Sequence, residues 1–107
     1  MSFELVLRKE AQLDLDEIFI WYEEQKIGLG FDFLNEFQNT LLKVNRNPYH
    51  TSYIQADAKS AMIKRFPYEV IYRIDEPKMQ IRILAVIHQH RDPEWFKKRS
   101  REYHSLH

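Results

Sequence analysis

The sequence contains no cysteine and only two glycines among its 107 residues. Without cysteine the chain has no disulfide framework, no thiolate zinc site and no cysteine nucleophile. The two glycines, Gly28 and Gly30, stand close together, but no Lys-Ser or Lys-Thr pair follows them, which argues against a phosphate-binding loop. The chain also lacks an apolar run long enough to span a bilayer. Its first residues lack the basic and apolar regions of a signal peptide, so we expect a cytoplasmic protein.

An excess of charge of either sign is also missing, since 16 Lys and Arg balance 16 Asp and Glu. The balance is uneven along the chain: residues 1–50 hold 5 Lys/Arg against 9 Asp/Glu, a net −4, and residues 51–107 hold 11 against 7, a net +4. A neutral domain is a poor non-specific binder of duplex nucleic acid, because such binding depends on many contacts between cationic side chains and phosphates. The basic second half still offers a local surface for a few phosphates or for an acidic protein.

What is present is a composition typical of one packed domain, with 44% hydrophobic and 14% aromatic residues. We therefore expect a single domain over residues 1–107. Residues 3–8 alternate as in a strand, and two helices follow. The first helix has an apolar stripe at helical spacing, formed by Ala11, Leu15, Ile18 and Tyr22. The second begins near Gly30 or Phe31, ends before Pro48, and has a stripe formed by Leu34, Phe37, Leu41 and Val44.

The glycines interrupt the helical periodicity and predict a short turn, so the two helices should form an antiparallel hairpin. The acidic residues Asp14, Asp16 and Glu17 resemble a cluster of general acids, but we interpret them as the solvated face of the first helix. Trp21 and Tyr22 are interpreted as closing the core.

The second half predicts strands over residues 52–56, 61–66, 68–75 and 79–88, with a turn at 57–60. In the last of these, the run from Ile83 to Ile87 is apolar throughout, as in a strand buried on both faces. Short polar connections favour an antiparallel meander. The predicted fold class is α+β: an N-terminal strand, an antiparallel two-helix hairpin on one face of a small antiparallel sheet, and a short C-terminal helical turn at 94–99.

The sheet face away from the helices is a candidate partner surface because the predicted helices leave it uncovered. Alternation along the strands assigns it a mixture of basic and apolar side chains: Arg65, Arg73, Arg82, Ile63, Ile71 and Leu84. The alternative is that side chains and the C-terminal turn cover this face.

Titratable groups follow the buried run at its end, in the order His88, His90, Arg91. Histidine titrates near neutral pH and serves as an acid or a base, although these residues are equally suited to solubilising a strand end. Two histidines supply at most two metal ligands, and no third ligand is placed beside them. We therefore expect no metal and no cofactor.

Motifs along nearly the whole chain resemble the RelE/ParE superfamily of bacterial type II toxins, also described as plasmid-stabilisation proteins. They occur in the superfamily's order and spacing: Ala11, Asp14-Leu15, Ile18, Trp21-Tyr22, Gly28-Leu29-Gly30, Phe33, Phe37, Asn47-Pro48, Arg65-Phe66-Pro67-Tyr68, Val70, Tyr72, Val86-Ile87-His88, Arg91-Asp92-Pro93 and Trp95. The resemblance implies a β-α-α-β-β-β fold and one of two functions. RelE-like members cut messenger RNA in the ribosomal decoding site, whereas ParE-like members inhibit DNA gyrase and lack the nuclease residues.

A ribonuclease needs a base, an acid and cations that stabilise charge on the phosphate. The residues available for those roles are His88, His90, Arg91, Arg82, Arg73 and Arg65. The neutral charge and the His-x-x-Arg-Asp-Pro ending look more like ParE, with no catalytic residue and with the histidine and arginine in structural roles. We therefore favour a gyrase inhibitor, with a ribosome-dependent ribonuclease as the alternative and an inactive homologue retained for binding as a third reading. Each of the three functions implies a cognate antitoxin that forms a hetero-oligomer with the chain. An extended or helical segment of the antitoxin would cover the basic and apolar sheet face. None of the three functions implies a membrane.

Overall fold

The computed structural model describes residues 3–55 and 57–90, with the side chain of Gln55 left out. Its two helices and five strands confirm the α+β class and the predicted order of elements. In chain order these are β1 (Glu4–Leu7), α1 (Lys9–Gln25), α2 (Leu29–Arg46), β2 (Tyr53–Gln55), β3 (Ala58–Met62), β4 (Tyr68–Asp75) and β5 (Gln80–His88). The predicted helical turn at 94–99 lies outside the described residues.

The hairpin turn between α1 and α2 is held by one carboxylate. Gly28 has a positive φ of 94°, a conformation that glycine adopts at little cost. The Glu23 side chain accepts hydrogen bonds from the backbone N–H groups of Gly28, at 3.1 Å, and Gly30, at 2.9 Å. A helix N-terminus leaves such N–H groups without partners inside the helix. Glu23 therefore ties the end of α1 to the beginning of α2, at the predicted turn.

The sheet has the strand order β1-β5-β4-β3-β2. The four strands of the second half are antiparallel, as predicted from their short connections. The N-terminal strand adds a parallel pair, since β1 lies beside β5 from Glu4–Gln80 to Leu7–Ile83. The sheet is therefore mixed. The two helices connect β1 to β2 at the opposite edge of the sheet, and the chain reaches β5 only after β2, β3 and β4.

The β3 strand differs from its prediction. Residues 57–60 were predicted as a turn and 61–66 as a strand, but β3 runs from Ala58 to Met62 and the turn falls at 64–67. Arg65 lies in that turn with a positive φ of 74°. Lys59 belongs to the strand, where it pairs with Tyr53 and Tyr72, and its buried side chain has Nζ 3.9 Å from the centroid of the Tyr53 ring. A polar residue was thus taken for a turn residue when it is part of the sheet.

The main core lies between the helices and one sheet face, which we call the helical face. It contains the predicted stripe of α1 and an aromatic cluster beneath the hairpin made by Tyr22, Phe33, Phe66 and Tyr68. Ile63 also belongs to this core, so its assignment to the opposite face was wrong. Its backbone N–H donates to the Tyr68 carbonyl, which shows that Ile63 stands opposite Tyr68. In the antiparallel pairing, odd-numbered residues of β3 lie opposite even-numbered residues of β4 and share their face. The prediction had continued one alternation through the turn, which placed odd-numbered residues of both strands on the same face.

The opposite sheet face carries a second buried cluster that contains no helix residue: Ala58, Ile71, Leu84, Ala85 and Ile87. Ile71 and Leu84 were correctly assigned to this face, but they are 0% and 1% exposed. They do not form the exposed apolar patch that we predicted there. The prediction that β5 is buried on both faces from Ile83 to Ile87 is confirmed.

A β-bulge in β5 changes which face each residue occupies. Ile83 pairs with Tyr72 and Ala85 pairs with Ile71, so β5 has one residue more than β4 between these pairs. Leu84 and Ala85 both contribute to the second cluster, and Val86 returns to the helical face.

Candidate functional site

His88 ends β5 on the helical face, opposite Tyr68. Its ring meets the Tyr68 ring edge-on, with centroids 5.2 Å apart. The two rings open onto a cavity of about 230 Å³ that we call the His88 cavity, and α1 forms its other wall. The residues that line it are Asp14, Glu17, Ile18, Trp21, Tyr68, Val86 and His88.

Asp14 fixes the wall of the His88 cavity to β5. Its Oδ2 atom accepts a hydrogen bond of 2.9 Å from the Val86 backbone N–H. The pairing between β1 and β5 ends at Leu7 and Ile83. The bulge of β5 follows immediately, at residues 84–85, and Val86 comes directly after it. Asp14 therefore serves as an acceptor where β1 no longer reaches β5. The acidic face of α1 is only partly a solvated face, since Asp14 has a structural role that helical periodicity does not reveal.

Asp14→Ala is expected to lower the free energy of unfolding by about 1–2 kcal/mol, because a partly buried amide loses a charged acceptor. Asp16→Ala is a matched control on the same helix, since the Asp16 carboxylate is exposed and its hydrogen bond from Gln12 lies at the surface. The control should change stability by no more than about 0.5 kcal/mol. Urea denaturation followed by circular dichroism measures both. Equal losses in the two variants would contradict the role given to Asp14.

His90 lies beyond the end of β5 and is exposed. Its backbone N–H donates to Nδ1 of His88 at 3.2 Å, and the two rings have centroids 5.4 Å apart. The structure therefore brings the two predicted histidines together. Arg91, the third member of the predicted group, lies outside the described residues.

The predicted arginines lie elsewhere. Arg73 and Arg82 are cross-strand neighbours on the face opposite the helices. Arg82 contacts Asp75 at 3.2 Å, and Arg73 Nε lies 3.0 Å from Asp57 Oδ2 without hydrogen-bond geometry. Arg65, in the turn before β4, is exposed and has its guanidinium carbon 5.6 Å from the centroid of the Phe66 ring. Each of the three arginines therefore has an intramolecular contact.

The bulge separates the histidines from the arginines. Strict alternation would place Arg82, Leu84, Val86 and His88 on one face. With one extra residue in β5, His88 lies on the helical face and Arg82 on the other. The six residue steps from Arg82 to His88 span roughly 20 Å of strand. The described residues thus form two separate polar groups rather than one.

Sequence reasoning missed the acidic and aromatic wall around His88. Trp21 was predicted to close the core together with Tyr22, but its side chain is 53% exposed and it lines the His88 cavity, whereas Tyr22 is buried. Asp14 and Glu17 stand one helical turn apart, which brings two carboxylates to the same cavity. Within residues 3–55 and 57–90 no three metal-ligating side chains cluster. Neither helix in this part of the chain is long and apolar enough to cross a bilayer.

Solved structures with this architecture include chains of toxin–antitoxin systems. A chain of the chromosomal ParDE toxin–antitoxin system from P. aeruginosa superimposes with a TM-score of 0.71 at 14% identity, over 81% of this chain and 96% of that one. A free mutant of the E. coli toxin RelE gives 0.70 at 13% identity, over 95% and 98%. A RelBE toxin–antitoxin complex from Mycobacterium tuberculosis gives 0.54 at 21%, over 82% and 99%. At these identities the likeness establishes the fold, that of the RelE/ParE toxins.

The family follows from the sequence itself. Residues 5–93 match the model of the ParE toxin of the type II toxin-antitoxin system parDE. The match covers most of the chain, which therefore belongs to the ParE toxin family, within the RelE/ParE superfamily that its motifs resemble. No curated protein matches the chain.

Proposed function

We propose that this chain arrests growth by binding DNA gyrase and that it catalyses no reaction of its own. The observation that carries the proposal is the separation of His88 from Arg82 by the bulge in β5. A ribonuclease needs its acid or base and its phosphate-binding cations around one phosphate. Side chains on opposite faces of a sheet do not meet at one phosphate. The described residues therefore favour a binding protein.

The charges around each group support the same proposal. Asp14 and Glu17 line the His88 cavity, and no lysine or arginine among the described residues does. Two carboxylates would repel an approaching phosphodiester. Arg73 and Arg82 lie against carboxylates, which compete with a phosphate for the guanidinium groups. Neither group is arranged as an unoccupied phosphate site.

We also propose that a cognate antitoxin binds the chain in the cytoplasm and forms a hetero-oligomer with it. The similar M. tuberculosis structure is a toxin–antitoxin complex. We place the antitoxin on the sheet side that carries Arg73 and Arg82, where acidic groups of the partner would compete with Asp57 and Asp75 for the guanidinium groups. Ile71 and Leu84 are buried on this side of the sheet, so they would not make the first contact with the partner. A partner that binds only the folded toxin would also stabilise it.

The alternative is a RelE-like ribonuclease that cuts messenger RNA on the ribosome. It is favoured by one observation: the free E. coli RelE mutant superimposes almost as well as the ParDE chain, and over more of this chain. His88 and His90, which lie together, would then supply the acid and base.

A supercoiling assay tests the proposal. Purified protein is titrated against gyrase and relaxed plasmid, and the protein's ability to arrest growth is confirmed in parallel. We expect inhibition of supercoiling, or trapped cleaved DNA, near a one-to-one ratio of protein to gyrase. Growth arrest without any effect on gyrase would overturn the proposal.

His88→Ala separates the two mechanisms, and Gln89→Ala is its matched control because the exposed side chain is next along the chain. If the protein binds gyrase, both variants should inhibit supercoiling at the same concentration as the unmodified chain. If it is a ribonuclease, His88→Ala alone should lower cleavage of ribosome-bound messenger RNA by about 10²–10⁴-fold, as expected for loss of general acid–base catalysis. Circular dichroism of both variants checks that His88→Ala still folds. No effect of the unmodified chain on either target or on growth would instead identify an inactive homologue.

A further inference from the structure

A second cavity, remote from the His88 cavity, lies between the C-terminal turns of α2, the connection at 47–52 and the edge of β3. Its volume is about 620 Å³, and it shares no lining residue with the His88 cavity. We call it the α2–β3 pocket. Pockets of about 300–1,000 Å³ accommodate small-molecule ligands, so the size fits a ligand larger than an inorganic ion.

The charge of the α2–β3 pocket is positive. Lys43, Arg46 and His50 line it, and no described carboxylate does. None of these three side chains forms a salt bridge with another described residue. This contrasts with the net charge of −4 over residues 1–50, which include all three. Cations in the last turn of a helix complement its dipole, but that accounts neither for His50 nor for the absence of acidic residues from the wall.

The 47–52 connection is held rigidly, so the pocket exists before any ligand binds. The Tyr72 hydroxyl donates to the Pro48 carbonyl at 2.7 Å and lies 2.6 Å from Thr51 Oγ1. Burial raises the pKa of Tyr72, which therefore keeps its proton at neutral pH. Lys59, 3% exposed, donates to the Thr51 carbonyl. A preformed wall lowers the entropic cost of ordering a bound ligand.

The remaining wall lies at a sheet edge and combines three apolar residues, Val44, Ala61 and Met62, with five residues that carry hydroxyl or amide groups: Thr40, Asn47, Thr51, Ser52 and Ser60. Val44 is buried at its base, and Met62, 54% exposed, stands at its rim. The described part of β2 pairs with β3 only at Lys59 and Ala58, so the edge at 60–62 extends past β2. Methionine is an adaptable surface for flat rings. Cations, hydroxyl and amide groups, and apolar side chains around one pocket suit a ligand that has an anionic end, hydroxyl groups and a planar apolar end.

We propose that the α2–β3 pocket binds a nucleoside phosphate, with the phosphate on Lys43, Arg46 and His50 and the base against Met62. Arginine suits the phosphate because its planar guanidinium donates two parallel hydrogen bonds. The ligand is either a free nucleotide or the terminal nucleotide of a strand, since both present the same chemistry. The site is independent of the proposed action on gyrase.

Isothermal titration of the full chain tests this site, with AMP, inorganic phosphate, a 5′-phosphorylated dinucleotide and a tetraglutamate peptide as separate ligands. We expect AMP to bind more tightly than inorganic phosphate. The double variant Lys43→Gln/Arg46→Gln should weaken AMP binding by at least about tenfold, because hydrogen bonds to charged groups are among the strongest polar contacts in proteins. Met62→Ala should weaken AMP while leaving phosphate unchanged. A dinucleotide that binds more tightly than AMP would identify a strand end as the source.

The matched control is Lys9→Gln/Lys26→Gln, which removes the same charge from exposed positions of the helical hairpin. Circular dichroism checks that every variant is folded. The proposal is overturned if AMP does not bind at millimolar concentration, or if the control weakens AMP as much as the pocket variant. It is also overturned if phosphate or tetraglutamate binds as tightly as AMP. None of these outcomes bears on the supercoiling assay, so failure of one proposal leaves the other standing.

Discussion

Phe33→Ala is expected to lower the free energy of unfolding by about 3–5 kcal/mol, the usual cost of deleting a fully buried aromatic ring. Phe33 is 0% exposed and lies at the centre of the aromatic cluster. Its ring stacks on Tyr22 at 5.7 Å and meets Phe66 and Tyr68 edge-on at 5.3 and 5.6 Å. Alanine would leave a cavity beneath the hairpin and remove all three contacts. Small domains have total stabilities of about 5–15 kcal/mol, so the loss is a large part of the whole.

Phe31→Ala is the matched control for this prediction. Phe31 is two residues away on the same helix, is 60% exposed, and has one ring contact, with Phe19 at 4.9 Å. Its removal should cost no more than about 1 kcal/mol. Guanidinium denaturation of both variants, with the slope of the transition compared, measures the difference. Similar midpoints for the two variants would show that the cluster does not have the central role described for it.

Gly30→Ala is expected to cost about 2–3 kcal/mol of unfolding free energy for a steric reason. A Cβ atom at this position would lie 2.7 Å from Phe19 Cδ2 and 2.8 Å from the Phe19 carbonyl oxygen. The ring can rotate away, but the backbone oxygen moves only if α1 shifts away from α2. Overpacking usually costs about 1–3 kcal/mol and occasionally more, and three contacts under 3.0 Å, one of them to backbone, place the cost here at about 3–4 kcal/mol. The higher helix propensity of alanine, about 1 kcal/mol, offsets only part of it.

Gly28→Ala distinguishes this steric cost from ordinary glycine strain. Gly28 has a positive φ of 94°, and no atom lies within 4 Å of a Cβ built on it. The expected cost is that of a left-handed conformation alone, about 1–2 kcal/mol. Thermal and urea denaturation of the two variants should therefore rank Gly30→Ala as the less stable. The opposite order would mean that the hairpin separates easily and that close helix contact at Gly30 contributes little.

The elements that periodicity defines well were predictable from sequence. The apolar stripes of α1 and α2 gave both helices, and the β-branched run in β5 gave its burial on two faces. The parallel pairing of β1 was not predictable in the same way, because alternation in a strand carries no information about its neighbour. The start of β3 was assigned wrongly because of Lys59. The sequence does not distinguish a lysine that is buried against Tyr53 and the Thr51 carbonyl from a lysine that is exposed to solvent.

The candidate site was predictable only in part, for a related reason. His88 and His90 were correctly singled out as neighbours at the end of β5. The apolar run through the bulge gives no signal that the alternation shifts there, because Leu84, Ala85 and Val86 are apolar on either face. The side of the sheet on which His88 lies therefore depends on how β5 pairs with β4. The residues of β5 alone do not reveal that pairing.

The bulge at Leu84 makes the side of the sheet on which His88 lies depend on strand pairing rather than on residue identity. A one-residue change in pairing exchanges the two faces of every following residue. A chain with the same number of residues from Arg82 to His88, but paired to β4 without the bulge, would present its counterparts of Val86 and His88 on the face of Arg82 and Arg73. Loss of a bulge within an apolar run would thus place histidine and arginine on one face of the sheet, although no polar residue had been replaced.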